Sequence, residues 1–370
     1  MAKQAGADPG RIRHLKELLY AGYLRVAASR DDLGLLVDDV YGAAALEAET
    51  GSGRWIARSA EVAGAVPLEL AGGADTSAWL RSWPADQVVK VIAYWQPSDP
   101  DSMVAAQLGG LMRLQQACWS TEHELLVELQ APPGQRYGRG DAALIMQRCY
   151  EAGISPEWWK LPPPPDSGAW AQVGAVVRAA APVCRGFLLL GHTASPAEIS
   201  SAFSAVGGEP TCVGLAIGRG VFASVAAEWL QGRATDREVV DTVEARFNAL
   251  IADWDSATSA RGPLTASRLD PATAIPGIAA LAIDQPGSIA QLALVVARQR
   301  QVPVAYIPGL VMRRAADLYP GEAKTGATPT SSPTRPALAA SRCYPAVTEG
   351  FIWAAHARLL LRRLTEHTYD

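Results

Sequence analysis

Lysine is scarce in this chain. Lys3, Lys16, Lys90, Lys160 and Lys324 are the only ones in 370 residues, and arginine carries the rest of the basic charge. Cysteine is thin too: Cys118, Cys149, Cys184, Cys212 and Cys343 stand singly. An odd number with no CxxC pair argues against a disulfide framework and against a zinc site. No apolar run is long enough to span a membrane, and the N-terminus lacks a signal-peptide pattern. The formal net charge is only -4, so no polyanion-binding field is implied. These absences leave a soluble cytoplasmic protein as the expectation. Its length holds one barrel-sized domain plus a smaller piece.

What is present is a run of short apolar stretches alternating with helical patterns. The spacing predicts strands at Leu35 to Val40, Trp55 to Glu61, Val88 to Trp95 and Glu124 to Ala131. Further strands are predicted at Trp158 to Leu161, Gly186 to His192 and Val213 to Arg219. Their near-continuous apolar character marks strands buried on both faces. Helix patterns lie between them, one with Ser195 as N-cap, Pro196 at the first position and Glu198 three residues after the cap. Repeated β-then-α units imply a parallel sheet with helices outside it. Seven strands are counted where a closed (β/α)8 barrel needs eight. A helix over Arg11 to Ala28 comes first with no strand before it, so either the sheet is open, or the fold is a TIM-barrel-like α/β barrel lacking its first strand.

The barrel is expected over residues 1–257 and a linker over 258–278. A short C-terminal βαβ fragment is expected over 279–325, and residues 326–370 read as a low-complexity tail.

In parallel α/β folds the reacting groups sit at the C-terminal ends of strands. Those ends offer Asp38, Asp39, Arg58, Glu61, Lys90, Glu128, Lys160, Gly191, His192, Gly218 and Arg219. Lys160 lies behind two tryptophans and before four prolines. It is either a snorkelling surface residue or an amine kept dry for chemistry, since dryness or a nearby cation lowers a lysine pKa. Alternation lets only one of Trp158 and Trp159 share its face. Lys90 could supply the nearby charge if the sheet curls, and Glu128 could shuttle protons. Equally, Lys90 and Glu128 could be a structural ion pair. The segment GLAIGRGVF opens a helix with a glycine-rich turn, which presents free N–H groups to an anion, with Arg219 placed to fork onto a phosphate.

The stretches AGADPGRIRHLKELL, LLVDDVYG, ETGSGRWIARSAEV, SWPADQVVKVIAYWQPSDP, HELLVELQAPP, GISPEWWKL, VCRGFLLLG and GLAIGRGVF carry a resemblance. Residues from about 7 to 257 resemble the barrel domain fused behind 5-dehydro-2-deoxygluconokinase in bacterial myo-inositol catabolism. That domain is similar to class I aldolases of the tagatose-bisphosphate type. The resemblance implies that Lys160 is the Schiff-base lysine, Lys90 and Glu128 its lysine and acid–base partners, and Arg219 the phosphate-binding arginine. It further implies retro-aldol cleavage of a phosphorylated deoxy-keto sugar acid, a small-molecule sugar phosphate as partner, and no cofactor. Pro162 stands where the family usually has glutamate, and Met1 leaves no room for the family's first strand. An inactive remnant or a non-catalytic sugar-phosphate binder is therefore carried as an alternative.

Ala280 to Thr325 resembles RuvC-like DEDD insertion-sequence transposases. The resemblance makes Asp284 the remnant of a metal site and implies a reading-frame shift after Thr325, since GATPTSSPTRPAL read in another frame can encode the family's continuation. With one acid left, no metal is expected to bind. A nucleic-acid-binding transposase derivative is a further alternative that the acidic balance weighs against. No membrane partner is expected, and a homo-oligomer is left open.

Overall fold

Strands that are apolar on both faces need cover on both sides, and a closed parallel barrel inside a ring of helices provides it. The computed structural model of the chain describes residues 9–30, 32–163, 166–180, 184–191, 196–206, 208–259 and 278–282. The chain opens with α1 (Pro9–Ala27), followed by β1 (Leu33–Val37), α2 (Ala43–Glu49) and β2 (Ile56–Ser59). Next come α3 (Thr76–Leu80), β3 (Val88–Tyr94), α4 (Asp101–Thr121), β4 (Leu125–Gln130) and α5 (Asp141–Glu151). Then follow β5 (Trp158–Leu161), α6 (Ser167–Ala180), β6 (Gly186–Gly191), α7 (Pro196–Val206) and β7 (Cys212–Ile217). The helices α8 (Arg219–Leu230) and α9 (Asp236–Thr258) precede β8 (Ile278–Ala282).

The strands form a closed barrel in the order β1 to β8, every neighbouring pair parallel. The TIM-barrel-like α/β class expected from the sequence is the fold observed, and all seven predicted barrel strands are present. Closure differs from the expectation. The seat left between β7 and β1 is filled by β8, from the start of the segment assigned to the C-terminal fragment. Leu33, Gly34, Leu35 and Leu36 align with Ala279 to Ala282 on one side, and Gly214 to Ile217 align with Ile278 to Leu281 on the other. The physical reason is the cost of an open sheet, which leaves two rows of backbone N–H and C=O groups unpaired.

Register assigns the faces. Lys160 aligns with Glu128 on one neighbour and Leu188 on the other, and Leu188 aligns with Gly214. Residues one step away point to the helices. Trp159 donates its indole N–H to the Tyr150 hydroxyl on α5 at 2.6 Å, and Phe187 stacks on Trp170 of α6 at 5.1 Å. The interior is therefore filled asymmetrically. Lys90, Glu128, Trp158 and Lys160 project from β3, β4 and β5, while Gly34, Gly214, Ala216, Ala280 and Ala282 line the opposite wall.

The helical layer locks onto its own ends. Arg11 of α1 donates to the carbonyls of Trp229 and Leu230 at 2.8 Å each, placing a cation on the C-terminal end of α8. Thr235 and Glu238 form a capping box that starts α9. Against α9, α1 comes so close that a Cβ on Gly22 would lie 2.7 Å from Val243 and 3.0 Å from the Val240 carbonyl oxygen. Among the described residues, no helix is long and apolar enough to cross a membrane.

Because the obstruction at Gly22 includes backbone, Gly22→Ala is expected to lower stability by about 1–3 kcal/mol through overpacking. Urea denaturation of the two proteins measures this, and an unchanged midpoint would contradict the close α1–α9 contact.

Candidate active site

Three residues predicted from the sequence meet inside the barrel. The Lys160 amine lies 2.8 Å from Glu128 Oε2, and the Lys90 amine lies 3.4 Å from the same oxygen. All three side chains are completely buried, so Lys160 does not snorkel. Register explains the meeting: Glu128 and Lys160 are direct partners on neighbouring strands. Lys90 aligns with Leu126, one interior layer nearer the N-terminal end, and its long side chain reaches up.

Of the two tryptophans, Trp158 shares the interior face with Lys160. It forms an edge contact with Trp55 at 5.8 Å and donates its indole N–H to Glu124 at 2.7 Å. These rings pack the layer beneath Lys160, which gives the amine a dry floor.

Glu61, Gln130, Tyr94 and Arg219 complete the environment. Glu61 lies 3.0 Å from the Lys90 amine. It is set there by a short antiparallel bridge to Leu70, with Val62 N–H donating to Glu69 O at 2.8 Å. The Gln130 amide donates to the other Glu128 oxygen. Sequence reading had Glu61 at a strand end without giving it a role, and missed Gln130 and Tyr94. The signal for both was the period of two, since Tyr94 shares a face with Lys90 and Gln130 shares one with Glu128.

Electrostatics follow from burial and from these partners. Burial pushes the Glu128 carboxyl up, but Lys160 and then Lys90 outweigh it and hold the value down to about 2 against an ordinary 4.5. Burial raises the Tyr94 phenol, and the Glu128 charge adds to that. Arg219, the first residue of α8 behind its N-cap Gly218, is half-buried. Burial lowers its value while Tyr94 and Glu128 work the other way. Lys90, Lys160 and Arg219 thus share one electrostatic neighbourhood with Glu61 and Glu128.

The remaining candidates are placed elsewhere. Arg58 lies on the opposite face of β2 from Ser59, the register partner of Lys90. It forms a forked pair with Asp39 at 2.5 and 2.6 Å and sits 3.9 Å over the Trp83 ring. Asp38 pairs with buried Lys16 of α1 and accepts the N–H groups of Val40 and Tyr41 at 3.0 and 2.8 Å. Those hydrogen bonds fix the turn after β1. Gly191 ends β6, where a Cβ would approach Ile217 to 2.6 Å, so strand packing accounts for this glycine. His192 and Asp284 lie outside the described residues, and among the described residues no cluster of His, Cys, Asp or Glu could hold a metal ion.

Removing the carboxylate between two buried cations has a large expected cost. Glu128→Gln should destabilise the protein by about 3–5 kcal/mol. Since the folded value of Glu128 is depressed, the unfolded chain takes up the proton first. Its contribution is complete above about pH 4.5 and is lost as the pH falls toward about 2. The gap in urea midpoint between wild type and Glu128→Gln is therefore expected to narrow in acid; a gap independent of pH would contradict the ion-pair assignment.

Comparison with known proteins gives two results. A stretch of 51 residues is 61% identical to the "Insertion element IS110 uncharacterized 43.6 kDa protein" of Streptomyces coelicolor, covering 14% of this chain. The chain spans only 13% of that relative's length, so it carries an insertion-element-like fragment. Residues 1–258, which supply seven of the eight strands and every residue of the buried lysine cluster, match the family described as an uncharacterized protein conserved in bacteria, DUF2090, and the chain belongs to that family.

Proposed function

We infer that the barrel is an aldehyde-lyase of the class I type, with Lys160 forming a Schiff base to the keto carbon of a phosphorylated deoxy-keto sugar acid. The substrate class is that of 2-deoxy-5-keto-gluconate 6-phosphate. One observation carries the reading: two lysines of a lysine-poor chain converge on a single buried carboxylate oxygen inside a parallel barrel. A structural pair needs one cation; a second amine beside it is what Schiff-base chemistry uses to favour the neutral nucleophile.

In this scheme the Lys160 proton leaves first, and Glu128 at 2.8 Å receives it. The freed amine attacks the keto carbon, and Glu128 returns the proton as water leaves the carbinolamine. Glu128 then takes the proton of the β-hydroxyl as the C–C bond breaks, releasing a three-carbon aldehyde acid and leaving an enamine on Lys160. Glu128 returns that proton to the enamine carbon, and water hydrolyses the resulting Schiff base to give dihydroxyacetone phosphate and the free amine. Lys90, held by Glu61, keeps the pocket positive, and Arg219 with the start of α8 would receive the phosphate. With Glu128 held down to about 2, the first proton transfer is uphill, so slow turnover is expected.

A second reading is a sugar-phosphate binder without turnover. It is favoured by the complete burial of the three groups, which are tied to one another in the resting barrel. For the insertion-element-like part, the RuvC-like DEDD reading would make Asp284 an isolated metal-site remnant, and no nuclease activity is proposed.

The test is borohydride trapping with dihydroxyacetone phosphate on folded full-length protein, read by intact mass and peptide mapping. An adduct on Lys160 that disappears in Lys160→Arg is expected. In Glu128→Gln, trapping should slow by about 10²–10⁴-fold. A folded protein with no adduct, but with saturable binding of dihydroxyacetone phosphate, would overturn the lyase and leave the binder.

A further inference from the structure

The DUF2090 match ends at residue 258, and β8 begins at Ile278. A barrel in which seven strands come from the family region and the eighth from beyond it has a specific interior boundary between β7 and β1. The boundary is shaped for its occupant. On the interior face, Ala280 lies in register between Gly34 and Ala216, three small residues in one row. On the helix-facing side, Leu281 lies between Leu35 and Ile217, and Ala279 between Leu33 and Leu215. Ala279, Ala280, Leu281 and Ala282 are all buried. The requirement is thus a short uncharged parallel strand with alanine at the inward positions 280 and 282 and apolar residues at the outward positions 279 and 281.

We propose that the groove between β1 and β7 is a strand-accepting site whose occupant is the chain's own Ile278–Ala282, held by pairing and packing rather than by its covalent link. The C-terminal segment then serves the barrel as a donated closing strand. Three facts support this. Both groove walls offer a full ladder of backbone groups to a strand in parallel register, the mode by which extended segments add to sheet edges. The occupant carries no charge that burial would penalise. The nineteen residues 259–277 separate it from α9, a length that reaches up to about 60 Å when extended, so the link does not dictate the register. Pairing does.

The experiment uses the full chain with a protease-recognition sequence inserted between residues 260 and 277. The protein is folded, cut, and passed over a sizing column with light scattering. The expected result is that the two pieces elute together at the mass of one protein. An excess of the synthetic peptide Pro276–Asp284 should then release the C-terminal piece, while a scrambled peptide should not. Separation of the pieces on cutting, retention in the face of excess peptide, or equal release by the scrambled peptide would each overturn the proposal. Elution at twice the mass would also overturn it, since the groove would then be filled by a second copy. In the same format Ala280→Asp is expected to abolish co-elution. Should that variant fail to fold, the wild-type cut and peptide exchange decide the matter.

Discussion

Closure of the sheet is the constraint on which the rest depends. A parallel barrel has no edges, and in a seven-stranded sheet β1 and β7 would each carry a row of unsatisfied backbone groups. Here β8 lies between them in parallel register. Closure also determines the dielectric inside. Lys90, Glu128 and Lys160 are wholly buried, and in dry surroundings their attractions are worth far more than on a surface. One piece of backbone pairing on the far side of the barrel thus sets the conditions under which the charged cluster exists.

The cluster itself is a compromise between burial and pairing. Desolvation opposes every charge in it, and two lysines against one carboxylate oxygen reverse that penalty for Glu128. Glu61 on Lys90 and Gln130 on Glu128 add further partners to the network. Such a network is costly to break from one side. It ties both amines to a carboxylate where nucleophilic chemistry needs a free amine, which joins the structural role of the pair to the slow chemistry inferred for it.

Much of the fold was legible because both-face burial leaves continuous apolar runs, and seven of these runs became strands. The strand β8 was not legible as part of the barrel. It is five residues long and alanine-rich, lies far from β7 in sequence, and reads equally well as the start of a separate βαβ unit. At the site, Lys90, Glu128 and Lys160 could be picked out because charges inside apolar runs have few explanations. Arg58 and Asp38 looked similar, but Arg58 falls on the helix-facing side of β2 and Asp38 lies just past the end of β1, where the chain has turned. Strand parity separates these cases only once the true strand ends are known. Glu61 was visible as a strand-end acid, yet its approach to Lys90 depends on the bridge to Leu70, which no local pattern announces.

The most direct measurement is hydrogen–deuterium exchange on the intact protein, resolved to the amides of Ala279 to Ala282 and compared with β3, β4 and β5. The account predicts slow exchange in that short segment, matching the central strands and shared with the amides of β1 and β7. Exchange at the rate of an unstructured chain at Ala279 to Ala282, with the central strands still protected, would contradict it.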